Sequence, residues 1–288
     1  MTRLLRPRLL PWHLLVIAIC ALFATAGSWQ LSRHQQLLDR NALLSERLVA
    51  DAEPYPVAAE QYDPDASAGT PRDPRYRPVV AVGRFAPEHE VLWRSRAFDG
   101  QPGYHVLTPF VLHDDPTGAA GAGRVLLVNR GWIPYRYAEP EVPAFDPPAG
   151  PVRVEGRLMP AQGTPEGPLA AFAPRDPPDG VLDTVARPNV GRLQAQMPWP
   201  LDRFVLEAET LVRVGGATDA GEVWATVAED GLDVSGGTLR LPLIPPAPAP
   251  EGGPHLGYAF QWFSFLMITL IGYVLLLRRR LFVPTRRG

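Results

Sequence analysis

The chain has 288 residues, enough for one or two domains, and 46% of them are hydrophobic. Its formal net charge of -2 conceals a separation of charge, because eight of its 28 basic residues, all of them arginines, lie in the two terminal tails. The stretch between the tails carries 20 arginines against 30 acidic residues, a balance that excludes nucleic-acid binding as its role. The single cysteine, Cys20, rules out an intramolecular disulfide and disfavours thiol-redox chemistry.

The first predicted element is an apolar run, Leu9–Gly27, which has the length of a membrane-spanning helix. The residues after it keep leucines at spacings near three and four, so we expect the helix to continue beyond the membrane. The small residues Ala24, Thr25 and Ala26 fit the cleavage site of a signal peptide. Removal of this segment as a signal peptide therefore stays open as an alternative to a retained anchor.

The middle of the chain predicts strands and loops. Alternating or β-branched segments recur between turns rich in Gly, Pro and Asp, which is typical of an antiparallel, β-rich domain of sandwich or barrel type. Asn189 is expected to open a short helix over 187–197. The predicted strands are 75–85, 89–96, 104–113, 124–134, 151–159, 203–214, 222–227 and 238–244.

A Pro- and Gly-rich tether, 242–254, leads into a second apolar run, Leu256–Leu277. At about 33 Å as a helix, this run is long enough to span a bilayer. Arginines flank the outer end of each run, so the positive-inside rule predicts that both termini are cytoplasmic and the central domain is extracytoplasmic. Trp29 and Tyr258 are expected at the far membrane interface.

The expected fold is therefore a membrane protein with two transmembrane helices that flank a β-rich extracytoplasmic domain of α+β, antiparallel type. Its expected segments are a cytoplasmic arginine-rich tail (1–8), transmembrane helix 1 (9–29), a juxtamembrane helix (30–52), the β-rich domain (53–241), the tether (242–254), transmembrane helix 2 (255–277) and a second cytoplasmic arginine-rich tail (278–288).

Motifs for catalysis are absent from the sequence. It has no phosphate-binding glycine loop, no Gly-x-Ser-x-Gly and no His-Glu-x-x-His, and no catalytic triad can be assembled by spacing. His113, which precedes two aspartates, is interpreted as part of a surface loop, and His105 as a structural histidine in a strand. His34 and His89 are expected to be solvated. One cysteine and four ungrouped methionines disfavour a copper chaperone.

Five segments occur in an order that resembles a known family. They are GSWQLSR after the first apolar run, GYHVLTPF, VLLVNRGWIP, VRVEGRL and HLGYAFQWF at the second run. From Gly27 to Phe263 the chain resembles the surfeit-locus family of cytochrome c oxidase assembly factors. The specific pieces are VNRGW, Val128–Trp132, and HLGYAFQWF, His255–Phe263.

The resemblance implies a non-enzymatic assembly factor in the bacterial plasma membrane that assists the delivery or insertion of haem a. The implied partners are cytochrome c oxidase subunit I, its assembly intermediates and membrane lipid. His255 matches the histidine through which bacterial members have been linked to haem a, which makes it the expected ligand of the haem iron. The chain departs from the family at Leu37, near a place where a lysine is frequent, and the segment 212–237 looks like an insertion.

A helical wheel places Tyr258, Ala259 and Trp262 on the same face as His255. Small Ala259 is expected to leave room for a porphyrin, the aromatic rings to form its walls, and Trp29 to close the site from the first helix. The N-terminal end of a helix disfavours imidazolium, and the neutral ring is the form that binds metal. The alternative is that these residues occupy a membrane interface without a ligand.

Arg130 and Trp132 in VNRGW are a second candidate site. The guanidinium of Arg130 suits a bidentate contact with a haem propionate or with a carboxylate of a partner. The alternative is structural, since Asn129, Gly131 and Pro134 favour a turn that Arg130 would anchor. Two further functions stay open for the whole chain: a membrane-anchored scaffold or binding domain without cofactor, and an extracytoplasmic hydrolase with an unrecognised site.

Overall fold

The computed structural model describes residues 9–113, 123–135, 146–165, 170–214, 222–226 and 241–282. Contacts divide the chain into two compact units. The first, here the helical unit, comprises residues 1–43 and 249–288, and the second, the β domain, comprises residues 44–248.

Two long helices contain the apolar runs. Helix α1 spans Leu10–Leu48, and helix α4 spans His255–Phe282. Both are long and apolar enough to cross a membrane, with a mean hydropathy of 1.9 in each, a property of length and composition only. One unbroken helix thus covers the predicted first span and the predicted juxtamembrane segment. Pro11 lies in the first turn of α1, where a missing N–H costs nothing.

The two helices of the helical unit pack antiparallel along a line of partly buried residues, here the interhelical seam. Contacts join His13 to Tyr273 near one end of the helices and Gln30 to His255 near the other. The spacing alternates between three and four residues, the heptad pattern of coiled coils. The seam consists of His13, Val16, Cys20, Phe23, Gly27, Gln30, His34, Leu37 and Asn41 of α1, with His255, Ala259, Trp262, Leu266, Thr269 and Tyr273 of α4.

The β domain is built on one mixed sheet with short helices. Its described elements are β1 (Glu53–Pro54), α2 (Tyr55–Gln61), β2 (Arg77–Phe85), β3 (Val91–Phe98), β4 (Gln101–Leu112), β5 (Val125–Pro134), β6 (Val152–Pro160), β7 (Thr184–Val185), α3 (Val190–Leu193), β8 (Leu201–Arg213) and β9 (Glu222–Thr226). Strands β2, β6, β8, β5 and β4 pair in that order, and β4 pairs again with β2. These five strands therefore close into a barrel, a solution that removes free sheet edges.

The hydrophobic core fills this barrel. Inward-facing residues of all five barrel strands, such as Val79 of β2 and Leu206 of β8, belong to one buried cluster. Tyr55 and Ala58 of α2 are fully buried against them, so this short helix closes the barrel interior. A second buried cluster, which includes Trp93 of β3 and Leu193 of α3, packs on another face of the sheet.

The β-rich character predicted from the sequence is confirmed, but the sheet is mixed rather than antiparallel. Strands β5 and β8 pair in parallel, with Leu127 opposite Val205. A parallel pair needs a long crossover, and the chain between these strands is long enough to supply one. Asn189 caps α3 as expected, with its Oδ1 accepting a hydrogen bond from Arg192 N at 3.2 Å.

The last predicted strand, 238–244, is described only from Leu241 onward, where Leu243 forms an isolated bridge with Trp132. The predicted insertion, 212–237, lies mostly outside the described residues. Its described part includes β9, which pairs antiparallel with the end of β8.

Candidate functional site

His255 lies in the first turn of α4 and faces α1. Its Nδ1 is 2.9 Å from Oε1 of Gln30, a hydrogen bond between the two helices. Gly253 comes just before the helix and lies beside the imidazole, since a Cβ built on Gly253 would be 3.6 Å from Nε2 of His255. Because Oε1 of Gln30 can only accept, Nδ1 of His255 is the donor, and in the neutral form of the ring the lone pair is then on Nε2. A neutral imidazole held in this way is the usual state of a metal-binding histidine.

The seam next to His255 is closely packed. Ala259 is only 2% exposed, and a Cβ built on Gly27 would lie 2.9 Å from the ring of Phe263. The ring of Trp262 lies 5.8 Å from that of Phe23 on α1. The space that the sequence predicts beside Ala259 is therefore filled by the first helix, and this level of the seam has no room for a porphyrin.

The other two predicted haem contacts lie on the outside of the helical unit. Tyr258 is 49% exposed and Trp29 is 53% exposed. The Trp29 ring is covered in part by the guanidinium of Arg33, whose Cζ is 5.6 Å from the ring centroid. Gln30, rather than the neighbouring Trp29, thus contacts His255. Two large aromatic rings are left on the exposed surface near the same end of α1 and α4.

An apolar cavity lies at the end of the helical unit that is farther from His255. Its volume is about 470 Å³, and its lining is apolar except for His13, Thr269 and Tyr273. The hydroxyl of Tyr273 and Nδ1 of His13 form a short hydrogen bond beside it. This cavity is separate from His255 and contains none of the predicted site residues.

Arg130 is buried in the β domain and bonded there through two of its nitrogens. Its side chain is 2% exposed, and Nη2 lies 2.5 Å from Oε2 of Glu90. Its Nε donates to Oγ1 of Thr108 at 2.7 Å, and that hydroxyl donates to the same Glu90 oxygen at 2.6 Å. Glu90, which comes just before β3, Thr108 of β4 and Arg130 of β5 thus form a closed hydrogen-bond network. Arg130 thus has a structural role, but within strand β5, so the predicted turn at Asn129, Gly131 and Pro134 is wrong. Contact of Arg130 with a propionate or partner stays a prediction.

Trp132 is buried and holds the start of the tether. Its backbone N and O pair with Leu243 at 2.7 and 2.9 Å. Gly131 has a φ of 127°, a conformation that side chains disfavour, and a Cβ there would collide with the Leu243 carbonyl. The VNRGW segment therefore provides the surface on which residues 241–244 are anchored.

A small polar cavity of about 80 Å³ lies between β4, β5, β6 and β8, beside prolines 245, 246 and 248. Its lining includes His105, Asn129 and Glu207. Nδ1 of His105 is 2.9 Å from Nδ2 of Asn129, which fixes the imidazole as the acceptor. Burial lowers the pKa of His105 to about 4, and the nearby charge of Arg96 acts in the same direction. Burial raises the pKa of Glu207, against the opposite effect of Arg96.

Sequence reasoning missed a buried ion pair at the end of α1. The side chains of Arg47 and Asp73 are 2% and 0% exposed, with 3.4 Å between Nη1 and Oδ2. Arg47 also donates to the carbonyl of Arg75, and its own carbonyl accepts from Arg157 at 2.7 Å. Arginine and aspartate are usually exposed, so burial of both side chains could not be read from the sequence. The contact fixes the last turn of α1 within the β domain.

Of the remaining histidines, His113 is exposed just after β4, as the surface-loop interpretation predicts. His34 was predicted to be solvated, which is wrong for its Nδ1 atom, because that atom is buried without a hydrogen-bond partner. His89 packs edge-to-face against Trp199, with ring centroids 5.3 Å apart. His113 pairs through its backbone with Val82, and the two aspartates after it lie outside the described residues. Among the described residues, no cluster of three or more His, Cys, Asp or Glu is arranged to hold a metal ion.

Comparison with known proteins places the chain in a family. The model of the SURF1 family matches residues 17–267. An uncharacterized SURF1-like protein of Mycobacterium tuberculosis is 30% identical over 275 residues, which cover 93% of this chain and 83% of the relative.

Two named relatives share shorter regions with this chain. Surfeit locus protein 1 of Homo sapiens is 31% identical over 147 residues, 46% of this chain and 43% of that protein. The cytochrome oxidase assembly protein SHY1 of Saccharomyces cerevisiae is 28% identical over 115 residues, 40% of this chain and 26% of that protein. The match of the family model over most of its length shows that the chain belongs to the SURF1 family.

Proposed function

We propose that this protein is a membrane-anchored assembly factor for cytochrome c oxidase that holds haem a on its way to subunit I. Membership of the SURF1 family and the printed name of the yeast relative, a cytochrome oxidase assembly protein, support the general role. The observation that carries the haem-binding part is the hydrogen bond between His255 and Gln30 at the end of two apolar helices.

In this proposal α1 and α4 both span the bacterial plasma membrane. Their length and hydropathy support anchoring, and the arginines at residues 3, 6, 8 and 278–280 support cytoplasmic termini. The β domain then lies on the extracytoplasmic side, and the end of the helical unit that carries His255 lies at that interface. A reporter fused after Gly288 tests the topology: we expect it to be active on the cytoplasmic side only.

The residues near His255 suit a haem that is held briefly. Haem iron is commonly bound by a histidine nitrogen, and Nε2 of His255 is the nitrogen that the hydrogen bond with Gln30 leaves available. Because the seam at Ala259 is closed, the porphyrin would lie against the outer surface, where Trp29 and Tyr258 expose large rings. An exposed site of this kind favours transfer of the cargo to a partner over permanent retention.

The alternative is a scaffold that binds oxidase intermediates without a cofactor. One observation favours it, the close packing of Gly27 and Ala259 along the seam, since a helix pair serving only as an anchor needs no cavity. In that case the His255–Gln30 bond would fix the register of the two helices, as isolated polar residues do in coiled coils.

Deletion of the gene, followed by complementation, tests the function. We expect the deletion to lower both the activity of cytochrome c oxidase and its content of haem a, and the wild-type gene to restore both. The variant His255→Ala should restore neither when it is expressed at the same level in the membrane. Full restoration by His255→Ala would exclude the haem-holding role and leave the scaffold. An unchanged oxidase in the deletion strain would exclude the assembly role altogether.

A further inference from the structure

The apolar cavity of about 470 Å³ lies between residues of α1 and α4, at the end of the helical unit farther from His255. Its volume is in the range of about 300–1,000 Å³ that is typical of pockets for small organic ligands. Gly272 lines it, and a Cβ built on Gly272 would meet no atom within 4 Å. By contrast, a Cβ on Gly27, nearer to His255, would lie 2.9 Å from the ring of Phe263. The helical unit therefore has room for an apolar ligand at the Gly272 end.

The length of the cavity matches one leaflet of a bilayer. On α4 its lining extends from Ile268 to Leu277, which is about 14 Å along a helix. On α1 its lining extends from Leu9 to Ile19, about 15 Å. The hydrocarbon core of a bilayer is about 30 Å thick, so each leaflet accounts for about 15 Å of it. An acyl chain of one leaflet therefore has a suitable length for this space.

A polar pair interrupts the apolar lining. The hydroxyl of Tyr273 and Nδ1 of His13 form a short hydrogen bond beside the cavity. Ionisable side chains are rare within membrane spans, and they often mark a functional site. A tyrosine hydroxyl can accept one hydrogen bond and donate another, so it can accept from His13 and donate to a carbonyl oxygen of a ligand. Tyr273 lies about 6 Å from the Leu277 end of the cavity, a depth that suits an ester group between an acyl chain and its headgroup.

The end of the cavity at Leu277 leads to positive charge. Arg278 and Arg279 come directly after Leu277, and both are exposed. Arg279 stands three positions after Leu276, so it continues the face of α4 that lines the cavity. The sequence has no acidic residue in 252–288, so this segment contains no carboxylate that could neutralise the two arginines. A guanidinium suits the charge and the geometry of a phosphate group, which it can bind through two nitrogens.

We propose that this cavity binds one anionic glycerophospholipid, with an acyl chain between α1 and α4, an ester carbonyl at Tyr273 and the phosphate at Arg279. Basic pockets between transmembrane helices on the cytoplasmic side are known to bind anionic headgroups. A zwitterionic headgroup fits less well, because it carries a cation of its own that the arginines repel. The inference rests on the membrane anchoring proposed above, and it does not depend on haem binding.

Native mass spectrometry of the full chain in detergent tests the site with two probes, phosphatidylglycerol and phosphatidylcholine of identical acyl chains. We expect the wild type to bind one phosphatidylglycerol about 10-fold more tightly than phosphatidylcholine. In Arg279→Gln this preference should fall by about 5-fold, the contribution of one basic residue near a membrane surface. In Gly272→Leu the new side chain occupies the cavity, so the affinity for both lipids should fall.

Gly257→Leu is the matched control, because Gly257 also lies in α4 and a Cβ built on it would meet no atom within 4 Å. It lies outside the cavity and should leave the binding of both lipids unchanged. Circular dichroism of each variant reports helical content. Wild-type affinity for phosphatidylglycerol in a folded Gly272→Leu protein would overturn the site. Equal binding of the two lipids by the wild type, or an unchanged preference in Arg279→Gln, would overturn the anionic headgroup. These results leave haem binding at His255 untouched, since a Soret band reports it separately.

Discussion

Nδ1 of His255 on α4 lies 2.9 Å from Oε1 of Gln30 on α1. This hydrogen bond joins two helices that are far apart in sequence and fixes which nitrogen of the imidazole is available. It also gives Gln30 a role that differs from that of its exposed neighbour Trp29. The pair links the packing of the helical unit to the chemistry proposed for it.

The variant Gln30→Leu should weaken the binding of haem a. Without this acceptor, neither the orientation nor the tautomer of the imidazole is fixed. Loss of a residue that hydrogen-bonds to a metal-binding histidine typically lowers metal affinity by about 10- to 100-fold. Titration of the purified protein with haem a, followed in the Soret region, measures the effect. The control is Gln35→Leu, because Gln35 is exposed and bonds only to Asp39 of its own helix. Equal affinity in Gln30→Leu and wild type would contradict the role of this hydrogen bond.

The variant Asp73→Asn should destabilise the β domain strongly. It removes the charge that compensates Arg47, whose side chain is 2% exposed, and an uncompensated buried charge costs about 3–5 kcal/mol. Chemical unfolding of the full chain in detergent gives the change in the free energy of unfolding. In Asp65→Asn, which breaks an exposed pair with Arg203, we expect a loss of about 0–1 kcal/mol. Similar losses of unfolding free energy in the two variants would show that the buried pair contributes no more to stability than the exposed one.

Stability should fall in acid because of His105. Its pKa is about 4 in the folded chain against an ordinary value of 6.5, so the folded state binds the proton less readily than the unfolded state. This contribution to stability is complete above pH 6.5 and is lost as the pH falls toward 4, by about 3 kcal/mol in total. Unfolding free energies measured across this range report the loss.

The variant His105→Gln isolates this effect from that of Glu207. Burial raises the pKa of Glu207, so its contribution has the opposite sign and increases as the pH falls. The difference in unfolding free energy between wild type and His105→Gln should therefore shrink from pH 7 to pH 4. A difference that does not change with pH would mean that His105 titrates normally in the fold.

The variant Gly131→Ala should loosen the anchorage of the tether. At a φ of 127° a side chain is strained, and the Cβ would also meet the backbone of Leu243, so we expect a loss of about 2 kcal/mol or more. Gly180→Ala is the matched control, since Gly180 has a φ of 83° but open space around it, and should cost about 1 kcal/mol. Thermal unfolding compares them, and a Gly131→Ala protein no less stable than Gly180→Ala would contradict the close contact with Leu243.

The sequence predicts the strands well because their signals are local. The alternation in 75–85 and 203–214 is read directly, and β2 and β8 lie there. The strand pattern predicts a sandwich or a barrel without choosing between them, since pairing of β2 with β4 and of β5 with β8 depends on contacts between distant segments. The parallel pairing of β5 with β8 leaves no mark in the pattern of either strand.

The candidate site was predicted in part for a similar reason. His255 follows from the resemblance and from its place at the start of an apolar run. Gln30 was not singled out, because its contact with His255 depends on which face of α1 meets α4. The heptad spacing of the seam residues is the signal that finds it, and it becomes clear only when the two helices are seen together.

The most direct test of the central claim is the binding of haem a to the purified full chain, compared between wild type and His255→Ala at equal concentration. The account predicts a saturable Soret band for the wild type and little or none for His255→Ala, with the same elution volume and helical content for both proteins. Equal Soret bands in the two proteins would contradict it.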